Sequence, residues 1–585
     1  MKKFFKYIGK AILGFSTVIG FLVLCLIIVG VSSFQDAFDE MDDIAPLPSE
    51  MTLMYDMQGA LPEMNSTSYF DHVFGSGEAS LYNFLRVLAV AKDDTHVEAF
   101  TVFISDGDYS LTQLQAMRNA VLDFRTSGKL ATIYTSSFGD FSNGMAEYWF
   151  ASAFDTIIVQ PIGNVSLNGI YIEQPYAKEA LDKIGVEPQI LQRKSYKTAP
   201  ETYLRSGMSE ESKETLVAIA EGFMEVMVKD IATARGLEIV DVARAIHESP
   251  MSVEQALDAK LIDSVLHFDE VENGFIHFPE VSVARYAQHL PSDNGDSEIA
   301  YVPVNGMILS EEPAIKSAFP MAFVLPDDIA KANDIAETII DAANDDDIKV
   351  ILLSINSPGG SPTASETIRR AVVYARENDK YVIAAMGDVA ASGGYWIATH
   401  ANQIIASDLT ITGSIGVYGG KMNIEGLWDK IGINWDAVKI GNNAGLWSMN
   451  APYSNAERAR ISAMMDNIYA QFTSRVSDGR NLSVEQVEKI AQGRAWMGRA
   501  AQEKGLVDLN GAFDFALKRA ASEAGGLDWT RASFLNFEGP RDPLDEIMEM
   551  IGIKITGGGV KIPTALLPAI IPQAVVTAPV LEMQF

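Results

Sequence analysis

The sequence has almost no cysteine, few histidines and a deficit of positive charge. Its single cysteine among 585 residues is Cys25, inside an apolar N-terminal run. That excludes an intrachain disulfide, a cysteine-based zinc site and a thiol nucleophile. The seven histidines (His72, His96, His247, His267, His277, His289 and His400) sit in no recognisable triad context. With 45 Lys and Arg against 77 Asp and Glu, the formal net charge is −32. Such a surface argues against nucleic acid and against peripheral docking on anionic lipid. HExxH, a Walker loop and a GxGxxG after a strand are all missing, so the sequence asks for no metal and no nucleotide cofactor. Hydrophobic residues make up 48% of the chain. That is ample for real cores, and the length calls for two or more domains.

Lys2, Lys3, Lys6 and Lys10 precede an uncharged run from Ala11 to Phe34. As a helix these 24 residues span roughly 36 Å, enough for a tilted bilayer crossing. The lysines are expected to stay cytoplasmic and everything after Phe34 to be exported. The run is longer than a usual signal core, so a retained anchor is preferred to a cleaved signal. Cys25 is not read as a lipidation site, because Leu24 is too large for the preceding position. Residues 35–94 then form a leader or linker containing PLPSE, with one helix over Ser80–Ala91.

The stretch from Val350 to Gly420 organises the rest. Val350–Ile355 and Tyr381–Met386 are short apolar runs, as in strands buried on both faces, and Thr363–Asn378 is long enough for the crossover helix between them. Gly359 and Gly360 follow the first strand, where backbone N–H groups can form a concavity for an oxyanion. Ser392 stands among Ala390, Ala391, Gly393 and Gly394. Such a crowd of small residues lets a substrate backbone approach its hydroxyl, and Ser392 reads as a nucleophile. His400, if on the same helix, is eight residues away, about 12 Å of rise, so it cannot be the base.

The motifs NSPGGS, GDVAASGGYWIA and TGSIGV, in that order, resemble signal peptide peptidase A, the membrane-bound bacterial serine peptidases with the Clp-protease/crotonase fold. The similarity covers most of the chain from about Ala91 to Ala521. The resemblance implies a Ser–Lys dyad, an oligomer at the membrane (a tetramer in the family) and peptide substrates such as spent signal peptides.

An internal repeat gives this more content. Met145-Ala-Glu-Tyr-Trp-Phe-Ala aligns with Ser392-Gly-Gly-Tyr-Trp-Ile-Ala at an offset of 247, which also pairs Ile157-Ile158 with Ile404-Ile405 and Asp182-Lys-Ile-Gly with Asp429-Lys-Ile-Gly. A constant offset over some forty residues marks a duplication. The expected architecture is therefore α/β, a tandem pair of Clp-protease/crotonase-like domains built of repeated ββα units. One covers 95–290 and one 299–540, joined near LPSDNGDSE, with a Pro-interrupted apolar tail over 541–585. The first copy has Met145 where the second has Ser392, and its SDGDYS loop lacks the Gly-Gly pair. One active site per chain is expected.

A desolvated lysine can serve as base, because burial disfavours its charged form. The resemblance places the lysine in the first copy, within Lys194-Ser-Tyr-Lys197-Thr-Ala, on Lys197; Lys194 is the rival that only geometry can separate. Its counterpart in the second copy is Ala444, so one copy keeps Lys and the other keeps Ser. The resemblance also gives Ser414, in TGSIGV, as a hydrogen-bond partner of the lysine. Thr198 stands where the family often has Ser. The reading is a serine endopeptidase anchored in the bacterial inner membrane, its body in the periplasm, with Ser392, Lys197 and the Gly359–Gly360 oxyanion loop. Its rivals are a non-catalytic membrane scaffold and a crotonase-type acyl-CoA enzyme.

Overall fold

The computed structural model describes residues 46–64, 80–105, 107–291, 298–311 and 328–537, with two short strands at Lys554–Thr556 and Gly559–Lys561. The expected anchor over 11–34 and most of the tail lie outside the described residues. Among the described residues no helix is long and apolar enough to cross a membrane.

The first copy is built on strands β1 (Met51–Met57), β2 (Val97–Ile104), β3 (Leu130–Thr135) and β4 (Thr156–Val159), with helices α1 (Leu81–Ala91), α2 (Leu111–Arg125), α3 (Met145–Ala151) and α4 (Glu210–Arg235), and strand β5 (Glu187–Arg193) standing apart. With β6 (Ser264–Val265) and β7 (Glu280–Ser282), its sheet runs β6-β4-β3-β2-β1-β7. Three of these four helix starts have their reason in the sequence. Ser80, Ser110 and Ser209 each accept a hydrogen bond from the backbone N–H three residues on, which satisfies a donor the helix itself leaves orphaned. The strand β1 corrects the linker reading of 35–94. Met51, Leu53, Tyr55 and Met57 are all buried, and the strand pairs along its length with β2, so this segment belongs to the first domain.

The second copy repeats the plan: β8 (Ile299–Asn305), α5 (Ala332–Asn344), β9 (Val350–Ser357), α6 (Pro362–Glu377), β10 (Tyr381–Ala391), α7 (Gly393–Ala398), β11 (Gln403–Ala406), β12 (Ile411–Gly413), β13 (Val417–Asn423), α8 (Asn455–Arg480) and β14 (Ala495–Met497). The duplication extends to individual bonds. Buried Tyr148 donates to the Leu261 carbonyl and buried Tyr395 to that of Leu506, while Asp263 and Asp508 accept from Ile157 N–H and Ile404 N–H.

The two copies share a core, and β9 shows how. Its alternate residues face opposite ways. Val350 and Leu352 enter the large core shared with the first copy, whereas Ile351, Leu353 and Ile355 enter a core of the second copy alone. A strand buried on both faces reads as a continuous apolar run, which is why Val350–Ile355 was legible. Polar contacts also cross the junction: the Asp388 carboxylate on β10 accepts from Thr112 N–H (2.9 Å) and Thr112 Oγ1 (2.8 Å) at the start of α2. There the positive end of the helix favours an anion.

Candidate active site

Parallel strands β10 and β12 lie side by side and end together, Ala391 opposite Gly413. The next residue on one is Ser392; the next on the other is Ser414. Ser392 N–H donates to the Gly413 carbonyl at 2.9 Å, which fixes this corner. Ser392 itself holds φ 54° and ψ −114°, and Ser414 has φ 49°. Both are positive-φ conformations that cost a non-glycine residue energy and mark sharp turns out of a strand.

Lys197 arrives from the first copy. Its route is β5, which leaves its own sheet and pairs antiparallel with β13 of the second copy, Glu187 opposite Asn423 through to Arg193 opposite Val417. Arg193 locks the strand's end by donating to Asp466 and Ser462 on α8. Four residues on, Lys197 Nζ donates to Ser414 Oγ at 2.9 Å and to the Ser414 carbonyl at 3.0 Å. The side chain is 4% exposed. Burial alone pushes its pKa down from the ordinary lysine value to about 7. An amine in this state is in large part neutral at physiological pH and has a lone pair to offer.

Its rival goes elsewhere. Lys194 is half-exposed, paired with Glu488 and set over the Tyr469 ring. His400 is also removed from the chemistry: its Nδ1 lies 2.9 Å from Thr399 Oγ1, and burial together with Arg369, Arg376 and Arg475 pushes its pKa down to about 4.

The glycine loop differs from expectation in one respect. Gly359 has φ 104°, and a Cβ there would stand 2.5 Å from Gly393 N, so the loop is pressed against the turn that carries Ser392. Its N–H, however, is spent on Ser357 Oγ at 3.1 Å, which corrects its reading as an oxyanion donor. Gly360 is held differently. Ile308 N–H donates to the Gly359 carbonyl and Ser361 N–H to the Ile308 carbonyl, so Gly360 turns its own N–H away from Ile308. Among the described residues neither Gly360 N–H nor Gly393 N–H has an acceptor, and Gly360 N lies 2.9 Å from where a Gly393 Cβ would be. Two free donors on adjacent turns beside a serine are what a developing oxyanion needs.

Sequence reading missed Gly393 as a donor, Ser357, and the segment Gln492–Arg494. That segment threads between Lys197 and the Ser414 turn: Tyr196 N–H donates to Gln492 O, Gly493 N–H to Ile415 O and Ser414 N–H to Arg494 O. A Cβ on Gly493 would fall 2.5 Å from Lys197 N, so only glycine fits between them. The QGR tripeptide was the available signal, but nothing local ties it to a lysine three hundred residues earlier. In the first copy, buried Met145 begins α3 in place of the serine. No group of three or more potential metal ligands occurs among the described residues.

Comparison with known proteins agrees with this architecture. The model of peptidase family S49 matches residues 135–275 and 374–526, one block in each copy. Protease 4 of Salmonella typhi is 30% identical over 508 residues, 82% of this chain and 79% of that one. Protease 4 of Haemophilus influenzae is 28% identical over 542 residues, 86% of this chain and 83% of that one. The chloroplastic serine protease SPPA of Arabidopsis thaliana is 27% identical over 459 residues, 76% of this chain and 66% of that one. A solved ClpP1 mutant from Listeria monocytogenes covers 37% of this chain and 94% of its own at 14% identity, with a TM-score of 0.24, too low to add to the family match. The chain belongs to peptidase family S49 and is a serine protease.

Proposed function

We propose that the chain is a membrane-anchored endopeptidase working through a Ser392–Lys197 dyad, and that its substrates are peptides such as cleaved signal peptides. The observation that carries the dyad is the buried Lys197 amine on Ser414, at the strand end beside Ser392. Neutral Lys197 takes the Ser392 hydroxyl proton as Oγ attacks the scissile carbonyl carbon. The N–H groups of Gly360 and Gly393 hold the oxyanion. Lys197 returns the proton to the departing amine, leaving an acyl-enzyme. Water then attacks the ester, again losing a proton to Lys197, and Ser392 is released with the carboxylic acid product. Ser414 orients the amine through its hydroxyl and carbonyl, which fixes the direction of the lone pair.

The anchor rests on the Ala11–Phe34 run and the preceding lysines, which put the catalytic body outside the cytoplasm. An inner-membrane location, a Clp-protease/crotonase-like domain pair and assembly into a homo-oligomer complete the proposal. Its test is hydrolysis of a fluorogenic peptide series by the full chain in detergent. Ser392→Ala and Lys197→Ala are expected to abolish cleavage while Lys194→Ala retains it. Cleavage at the wild-type rate by Lys197→Ala would remove the lysine from the mechanism, and an inert wild type would favour the scaffold reading.

A further inference from the structure

One carboxylate outside the proposed dyad ties the segment that carries Lys197 to the turn that carries Ser414. Tyr196 precedes Lys197, and its Oη donates to Glu214 Oε2 at 2.7 Å. Arg494 Nη1 donates to the other oxygen of the same carboxylate, Glu214 Oε1, at 2.6 Å. The backbone of Arg494 meanwhile holds the Ser414 turn, its carbonyl accepting from Ser414 N–H at 2.8 Å. Glu214 lies on α4 of the first copy and Arg494 in the second, so the contact joins the copies beside this corner. The Arg494 guanidinium lies over two rings, 5.1 Å from the centre of Tyr196 and 4.5 Å from that of Trp496. Trp496 is fixed in turn, its Nε1 donating to the Ile490 carbonyl at 2.8 Å. A planar, forked guanidinium meets rings and carboxylate together; a lysine ammonium in its place would not.

We propose that Glu214 is a positioning residue, its carboxylate clamping Tyr196 to Arg494 so that the Lys197 amine stays on Ser414. This rests on the Ser392–Lys197 dyad proposed above and deepens it. Both hydrogen bonds that Lys197 Nζ makes among the described residues go to Ser414. The aim of the amine therefore depends on how the backbone of 196–197 sits against the Ser414 turn. Gln492–Arg494 bridges the two, taking Tyr196 N–H at one end and Ser414 N–H at the other, and Glu214 closes that bridge from outside. Glu214 is half-exposed, and ion pairs so placed add little to stability. Their effect on geometry is another matter, since misplacing a catalytic group by about 1 Å can cost 10²-fold in rate. The repeat points the same way. Helices α4 and α8 start on Ser209 and Ser454, an offset of 245 that also aligns the helix starts Val253 and Gly498. At that offset Ala459 stands for Glu214 and Ser249 for Arg494, and at 247 Asn443 stands for Tyr196 beside Ala444. Where the repeat has no lysine, it has no clamp.

The test is the pH–rate profile of fluorogenic-peptide hydrolysis by the full chain in detergent, with melting temperatures measured alongside. Wild type is compared with Glu214→Ala, Glu214→Gln, Arg494→Lys and Lys197→Ala. Glu214→Ala is expected to lose about 10-fold or more in kcat at unchanged KM and unchanged melting temperature. The midpoint of its profile is expected to rise above the wild-type value, as water reaches a loosened amine and favours its charged form. Glu214→Gln still offers Arg494 an acceptor and is expected to bring both kcat and midpoint back towards wild type. Arg494→Lys keeps the charge without the planar fork and is expected to behave like Glu214→Ala. Wild-type kcat and midpoint in Glu214→Ala, with Lys197→Ala inactive, overturns the clamp and leaves the dyad standing. A rise in KM alone, which would make Glu214 a substrate contact, overturns it too. So does a lowered melting temperature at an unmoved midpoint, which would make the pair merely structural. Wild-type cleavage by Lys197→Ala removes the dyad, and the clamp falls with it.

Discussion

Ser392 sits at φ 54° and ψ −114°, a conformation a side chain resists and glycine accepts. The strained turn holds Ser392 just past the end of β10, so relieving it should cost function and not stability. Ser392→Gly and Ser392→Ala are both expected to be inactive, with the glycine variant more stable by about 1 kcal/mol in denaturant titration. Equal stability of the two would mean the turn is not strained. Lys197 makes the complementary sacrifice. The folded state holds its amine near 7 and the unfolded chain does not, so between about 7 and the ordinary lysine value the unfolded state binds more protons. Wild-type stability should therefore rise with pH across that window, and below it the full cost of a buried ammonium is present. Lys197→Met, apolar and of similar length, is expected to abolish cleavage and to raise the melting temperature at pH 6. A lower melting temperature there would make the lysine a structural residue.

At the scale of elements, the site lies where four strands end, β5, β9, β10 and β12, and in the turns that follow them. The apolar runs of β9 and β10, the glycine pair and the small residues around Ser392 were legible because buried strands and close backbone approach leave strong local signatures. On α8, Ile461, Met465, Tyr469 and Phe472 are buried and Met464 is turned outward. Strand β1 was hidden because MTLMYDM has too few residues to distinguish itself from a linker, and its burial is decided by β2 and β7 on either side. Which glycine N–H is free was also beyond local reading, since Ser357 and Ile308 decide it. The turn itself yields a prediction. A Cβ on Gly360 would lie 2.0 Å from the Ile308 carbonyl oxygen, so Gly360→Ala must push the loop away from Ser392. Its kcat is expected to fall by about 10²-fold or more, as on losing an oxyanion donor. An unchanged kcat would take the Gly360 N–H out of the chemistry.

For the molecule as a whole, the proposed dyad divides its residues between two copies that duplicated and diverged, so that neither half is sufficient. In the proposed dyad the first copy supplies the lysine on a strand it lends to the second, and the second supplies the serine and the proposed oxyanion turns. The repeat offset made this division readable, because Met145 and Ala444 mark the positions each copy gave up. What it could not reveal was the β5–β13 ladder that brings the halves into register, which depends on pairing across more than two hundred residues. Fragments divided within the 292–297 junction are accordingly expected to hydrolyse peptide when co-expressed and not separately. Activity in the second-copy fragment alone would show a base of its own. The most direct test of the shared site is labelling by a serine-directed phosphonate, followed by mass spectrometry across pH. Modification of Ser392 in the wild type is predicted to rise through a midpoint near 7, and in Lys197→Ala to lose that rise and fall in rate, with Lys194→Ala unaltered. A wild-type profile retained by Lys197→Ala would contradict the account.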